Sequence, residues 1–373
     1  MDFGKLTEYL DSLVNMGIPS VDLIVRKNHR LLYRHMAGYR DYEKKVPLRG
    51  DEVYRLYSCS KVFTTCAVMQ LAEGGQIGLD DPVAEYLPAF ARLTVKDGDA
   101  VRPARRPLLV RHLMSMQSGL DYNMDTPEVN QLLKDTRNQA GTRALMEAKA
   151  ADPLCFDPGA SFQYSLSHDV LAALVEAVTG QRFSEYLREH IWSPLGLTTV
   201  TFSPDEALKV RFCAQYRYRK DDGSFTPQPI VPDDTPNYES GGGGLFGCAE
   251  DYSLFVDALS CGGKTADGFS ILSPQMIQLW SANQLCPKGR EVFDSWRRLG
   301  YSYALGVRTR VDTSVGGLGP VGEFGWDGAA CAWNMVDPHG HVSAFFAMHV
   351  LDYSFPFEVV HPTIRHMIYE ALG

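Results

Sequence analysis

The stretch Val53-Tyr54-Arg55-Leu56-Tyr57-Ser58-Cys59-Ser60-Lys61 changes character halfway along. Val53 to Tyr57 reads as a strand, built from β-branched, aromatic and long side chains. From Lys61 to about Ile77 the pattern is helical, with Phe63, Cys66, Ala67, Gln70 and Leu71 at helical offsets. Ser58 and Lys61 thus stand three residues apart where a strand gives way to a helix. Residues at that spacing on a helix are neighbours, with Cβ atoms roughly 5–6 Å apart. A serine in a first turn has an amine beside it and helix N–H dipoles behind it. This arrangement suits acyl transfer without histidine. Ser60, the nearest alternative, has Phe63 where an amine would be needed. The spacing alone is not specific, because 24 serines and 12 lysines supply roughly one such pair by chance. Context decides.

The chain has 373 residues and is 45% hydrophobic, enough for one large core. Its formal net charge is −9, with no long basic run, which argues against a nucleic-acid role. Eight cysteines are scattered without a C-x-x-C pair, so free thiols in a reducing compartment are expected. With Met1 as the start, Phe3, Leu6, Leu10, Leu13 and Val14 form one helical face rather than a signal peptide. No apolar run approaches the ~20 residues that cross a bilayer. A soluble, cytoplasmic protein without membrane insertion is expected.

Strands bracket a helical middle. Val21 to Val25 and Leu31 to Tyr33 read as a hairpin around Asn28-His29. Ser167 to Thr179 is the clearest helix, stopped by Gly180, and a second is expected to start at Ser184 as N-cap. Strand signal returns at Tyr303–Val307, Ala330–Val336 and Val342–Val350, followed by a terminal helix near Ile364–Leu372. The expected fold is α+β and a single domain over 1–373. One antiparallel sheet flanked by helices comes from both chain ends, approximately 1–57 and 211–373, with a mostly helical lobe of about 58–210 inserted. A cleft between lobes is the natural place for a site.

Rival motifs fall short. There is no G-x-S-x-G. Gly263-Lys264-Thr265 lacks the earlier glycine of a phosphate loop, since Ala258 stands there. Gly242, Gly244 and Gly247 satisfy G-x-G-x-x-G, but Pro236 to Ser240 is no apolar approach strand. His339 and His341 flank a turn glycine with no further ligands nearby, so no metal and no cofactor are expected.

With Ser58 and Lys61 placed, the chain resembles the serine β-lactamase and penicillin-binding-protein superfamily, and most of all its β-lactamase-like (family VIII) carboxylesterases. Leu71 to Val83, Arg111 to Leu120, Pro194 to Leu197 and Gly241 to Leu245 resemble later stretches of that superfamily in the same order. Tyr164-Ser165-Leu166 stands where the superfamily has Tyr-x-Asn. Gly325-Trp326-Asp327-Gly328 stands where lactamases have Lys-Thr-Gly and the esterases often have Trp-x-Gly.

The resemblance implies a β-lactamase-like (DD-peptidase-like) fold and a catalytic set of Ser58, Lys61 and Tyr164. It also implies an oxyanion hole from the N–H groups of Ser58 and Ala329, with Leu166, Trp326, Asp327 and Gly328 facing substrate. Ser58 would form an acyl-enzyme while Lys61 and Tyr164 share the proton. Moving a lysine from ~10.4 to near 7 needs ~4–5 kcal/mol of differential destabilisation of its ammonium, so a shared proton is an economical answer. Gly328 would lack a side chain so that substrate can lie against the strand edge. Leu166 and Trp326 replace polar groups that face β-lactams in lactamases, which favours a less polar, small-molecule ester. Asp327, if it points into the cleft, would favour neutral or cationic esters over anionic ones. The competing expectations are a lovastatin-synthase-type acyltransferase, a weak β-lactamase or D-amino-acid peptidase, and a binding protein that keeps only the fold.

Overall fold

The computed structural model describes residues 1–230, 235–296 and 298–373. Its principal sheet has eight strands. In spatial order they are Tyr301–Tyr303, Arg308–Arg310, Phe324–Gly325, Trp333–Asp337, Val342–Ala347, Ser20–Lys27, Arg30–Asp41 and Val46–Pro47. Every pairing in it is antiparallel, and the two chain ends meet where Ile24 faces Phe345. The first hairpin turns at Asn28 and His29, both with positive φ.

Side-chain alternation along Ser20–Lys27 builds two cores from one strand. Val21, Leu23 and Val25 pack with Leu6, Leu10 and Leu13 of the N-terminal helix (Gly4–Asn15) and with Ile364 and Ile368 of the C-terminal helix (His361–Leu372). Ile24 faces the other way, into the larger core that holds the catalytic elements.

A central helix, Ser60–Glu73, runs through that larger core. It shows no single apolar stripe because it is covered on every side, and Ser60 to Met69 are all buried. Val170, Leu171 and Leu174 of the Ser167–Thr179 helix share this core. Phe63 stacks on Phe255 of the Ala249–Ser260 helix, with ring centroids 4.0 Å apart. Gly180, at φ +72°, ends the Ser167–Thr179 helix as its sequence indicates.

Two expectations are corrected. The apolar run Tyr303–Val307 is a buried turn between strands, closed by the Ala304 N–H on the Val307 carbonyl at 2.8 Å with Gly306 at φ +74°. Ser184 does not cap its helix, which begins at Phe183; its hydroxyl donates instead to Glu239. Helices at Ala249–Ser260, Pro274–Trp280 and Pro287–Asp294 follow the helical stretch in sequence, and the hairpin Thr94–Asp97/Ala100–Pro103 lies within that stretch. Among the described residues no helix is long and apolar enough to cross a membrane.

Candidate active site

Strand Val53–Arg55 pairs with Phe246–Cys248, and the Leu56 N–H donates to the Leu245 carbonyl at 2.8 Å. The chain then turns sharply. Tyr57 sits in the left-handed region at φ +47°, which costs a non-glycine residue about 1–2 kcal/mol. Its hydroxyl is anchored on Gln215 at 2.6 Å. A single 3₁₀ turn, Tyr57–Cys59, leads into the central helix and leaves Ser58 half-buried at its mouth.

Lys61 is fully buried. Its Nζ donates to Ser58 Oγ at 3.1 Å, to the Tyr122 hydroxyl at 3.2 Å and to the Gly242 carbonyl at 2.6 Å. All three acceptors are neutral, and no carboxylate lies within ion-pair reach of Nζ among the described residues. Run in reverse, with the Ser58 hydroxyl donating to a neutral amine, the same contact is the first half of a proton transfer.

Tyr164 arrives from the turn before the Ser167–Thr179 helix, and its ring lies under Lys61 with Nζ 4.6 Å from the centroid. The direct Lys61–Tyr164 hydrogen bond expected from sequence is not what the geometry contains. The Tyr164 hydroxyl accepts from Trp326 Nε1 at 2.8 Å, while Tyr122 takes the place on the amine. Tyr122 lies two residues beyond the Arg111–Leu120 stretch that carries the resemblance, so the sequence pattern does not mark it. It is 47% exposed through its ring, with the hydroxyl as the inward end. Burial of that end, with Tyr164 and Asp169 beside it, holds the phenol above its ordinary range. Trp296 was missed too; it stacks edge-on against Tyr164 with centroids 5.7 Å apart and extends the aromatic wall.

The two tyrosine loops are tied together beneath the site. Ser167 Oγ bonds both Ser118 and Ser165 at 2.8 Å, and the Leu166 N–H reaches the Asp121 carbonyl at 3.3 Å. Leu166 itself is 5% exposed, so it offers a ligand little surface. Behind Lys61, Asp169 accepts from Tyr238 at 2.7 Å and Ser240 at 2.6 Å, which pins the glycine loop whose Gly242 carbonyl meets the amine. A Cβ on Gly242 would come within 2.5 Å of Asp169 Oδ2, so glycine is required by close approach. This explains the glycine run that mimics a dinucleotide motif. Ser60 is buried, and its hydroxyl holds the Leu245 N–H at 3.1 Å.

On the opposite wall, the N–H groups of Ser58 and Ala329 donate to no acceptor among the described residues, as oxyanion donors require. Gly328 is buried, not a surface for substrate as expected: a Cβ there would lie 2.5 Å from the Leu56 carbonyl. Its smallness lets the Gly328–Ala329 turn close against the chain that leads into the Ser58 turn. Ala329 is exposed and also borders a recess of about 710 Å³ lined by Arg217, Arg219, Lys220, Tyr353 and Phe357.

Trp326 is 3% exposed and positions the Tyr164 hydroxyl more than it lines the cleft. Asp327 does not face the cleft with a free charge. It is 4% exposed, bonded to Arg308 at 3.0 Å and ion-paired with Arg298. Burial opposes its charge, but Arg298 and Arg308 outweigh that and hold the carboxyl below its usual range.

A reachable serine, a buried amine on it, two phenols and a pair of free N–H groups define a class: a β-lactamase-like serine hydrolase. A family model described as Beta-lactamase matches residues 6–362, and the chain belongs to that family. Esterase EstB of Burkholderia gladioli is 30% identical, over 69% of this chain and 71% of its own length. Monacolin J acid methylbutanoyltransferase of Aspergillus terreus is 29% identical, over 84% of this chain and 79% of its own. The solved structure of EstCE1, described as a hydrolase with promiscuous acyltransferase activity, aligns with a TM-score of 0.79 at 24% identity and covers 98% of both chains.

Proposed function

We propose that the protein is a serine esterase that cleaves small or medium carboxylic esters through an acyl-enzyme on Ser58. The observation that carries this is the Lys61 amine, buried among neutral oxygens and 3.1 Å from Ser58 Oγ. A neutral Lys61 takes the Ser58 proton as Oγ attacks the ester carbonyl. The oxyanion then forms against the N–H groups of Ser58 and Ala329, each worth ~2.7–4 kcal/mol of transition-state stabilisation in comparable sites. Tyr164 gives its hydroxyl proton to the leaving alkoxide and is reprotonated from Lys61 through the Tyr122 hydroxyl, and the acyl group stays on Ser58. Water, activated by the same groups, releases the acid.

Transfer of the acyl group to an alcohol is the second reading. It is favoured by the exposed aromatic surface of Tyr122 and Trp296 at the mouth, on which an acceptor can stack. β-Lactam turnover is disfavoured, because Leu166 and Trp326 stand where polar contacts would be needed. The pairing of Asp327 with two arginines removes the ground for preferring cationic esters. Eight free thiols suit a reducing, cytoplasmic setting.

The test is turnover of p-nitrophenyl butyrate with and without an added alcohol, with products identified by mass. Butyric acid as the main product supports the esterase, and a butyrate ester of the added alcohol supports the transferase. Absence of any turnover across neutral, cationic and anionic esters argues for a protein that keeps only the fold.

A further inference from the structure

His29 stands 228 positions before Asp257, which is four residues before Cys261, and no motif joins the three. The fold brings them together. His29 occupies the turn of the first hairpin, Asp257 lies in the last turn of the Ala249–Ser260 helix, and Cys261 is that helix's C-cap. The i,i+4 spacing of Asp257 and Cys261 sets both on one side of the helix, facing the hairpin. The imidazole, carboxylate and thiol donor atoms lie within 4.8 Å of one another.

The geometry points to a zinc site made by His29 Nδ1, an Asp257 carboxylate oxygen and Cys261 Sγ, with water in the fourth position. A simple ion pair accounts for part of the cluster, since His29 Nδ1 is 2.9 Å from Asp257 Oδ2. It does not account for Asp257 Oδ1, which belongs to a residue only 4% exposed and has no hydrogen-bond partner. Nor does it use the thiol. A divalent cation would give the orphaned Asp257 oxygen and the sulfur a shared partner.

The donor set of one nitrogen, one oxygen and one sulfur suits Zn²⁺, which takes such ligands tetrahedrally at about 2.0–2.3 Å. Ligand atoms around zinc at those bond lengths stand roughly 3.3–3.8 Å apart, so the cluster must contract by about 1 Å. Cys261 is only partly buried and can supply that movement by rotating its side chain. A recess of about 420 Å³, bordered by His29, Asp257 and Thr265, gives the ion and its water a way in. On binding, the thiol gives up its proton to solvent and forms the S–Zn bond. The imidazole binds through Nδ1 and keeps its proton on Nε2. One carboxylate and one thiolate then cancel the charge of the ion.

The site is not catalytic. Tyr252, whose hydroxyl reaches the Cys59 carbonyl at 2.9 Å, precedes Cys261 by nine residues, roughly 13 Å along the helix. Zinc here would clip the first hairpin to the helix that supports the nucleophile turn.

The test uses the full chain, stripped with a chelator and held reduced, then titrated with Co²⁺ and Zn²⁺. One Co²⁺ per chain is expected, with a thiolate-to-cobalt charge-transfer band that Zn²⁺ displaces and a Tm raised by Zn²⁺. Cys261→Ser should abolish the band and weaken Zn²⁺ binding at least 100-fold. His29→Asn, which suits a positive-φ turn and should fold normally, should weaken it at least 10-fold. Esterase turnover should stay within twofold in both variants. Lack of a cobalt–thiolate band, or a band that survives Cys261→Ser, overturns the site.

Discussion

Lys61 and Arg308 are both buried basic side chains, and their surroundings differ in one respect. Lys61 meets a serine hydroxyl, a phenol and a carbonyl, all uncharged. Arg308 is 2% exposed and meets Asp327 at 3.0 Å and Glu323 at 3.8 Å. Burial alone would lower the Arg308 pKa, and Asp327 and Glu323 more than reverse that. Neutralising Arg308 would strand buried carboxylates, whereas Lys61 can give up its proton without stranding any. The first arrangement fixes structure and the second permits chemistry. Burial alone distinguishes neither.

The largest expected effects break that contrast apart. Lys61→Met should lower kcat/KM by at least roughly 10⁴-fold, because Ser58 loses its base, and should leave stability unchanged or raise it. Arg308→Met should instead cost about 3–5 kcal/mol of stability, because buried Glu323 loses its cation and Asp327 keeps only Arg298. Ester kinetics and urea denaturation on the same two variants read both. Equal destabilisation by Lys61→Met would make Lys61 a structural cation.

A buried base without a counter-ion also leaves a pH signature. His349 is 2% exposed; burial lowers its pKa to about 4, with Arg55 adding to this and the Cys213 carbonyl partly opposing it. In the unfolded chain it titrates near ~6.5, so between the two values the unfolded state binds more protons. Its contribution is therefore complete above about pH 6.5 and is lost as pH falls toward 4, up to about 3 kcal/mol. Urea unfolding between pH 7 and 4.5 should show this slope, and His349→Asn should flatten it. An unchanged slope would remove His349 from the explanation.

Smaller effects sharpen the neutral side of the contrast. Tyr122→Phe removes one acceptor from Lys61, and a hydrogen bond to a charged group is worth about 1.5–3 kcal/mol. A fall in kcat of roughly 10- to 100-fold is expected, with a displaced pH–rate profile. Trp326→Phe keeps most of the ring stack but removes the donor on Tyr164, a neutral bond worth about 0.5–1.5 kcal/mol. Its kcat should fall about 3- to 10-fold with KM little changed, and an effect on KM alone would make Trp326 a substrate contact.

Much of this was legible in sequence because the relevant patterns are local. The strand-to-helix switch at Ser58 and the Ser167–Thr179 helix with Gly180 both follow from residues within a few turns of one another. The hairpin at Asn28-His29 is equally local. What escaped depends on distant pairings. Asp327 cannot be recognised as neutralised until Arg298 and Arg308 are folded against it. Gly328 reads as a substrate surface until the Leu56 carbonyl fills that space. The run Tyr303–Val307 is apolar enough for a strand, yet the buried turn it forms depends on Gly306, whose added Cβ would meet Thr65 Oγ1 at 2.1 Å. Tyr122 lies just past a recognisable stretch, but its meeting with Lys61 across 61 positions exists only in the fold.

The most direct measurement is peptide mapping by mass spectrometry after reaction with a fluorophosphonate, on the native chain and on Lys61→Met. One adduct on the peptide carrying Ser58 is predicted, and its formation should slow by orders of magnitude without the amine. Labelling of another serine, or equal labelling of Ser58 in both proteins, would contradict a hydroxyl activated by Lys61.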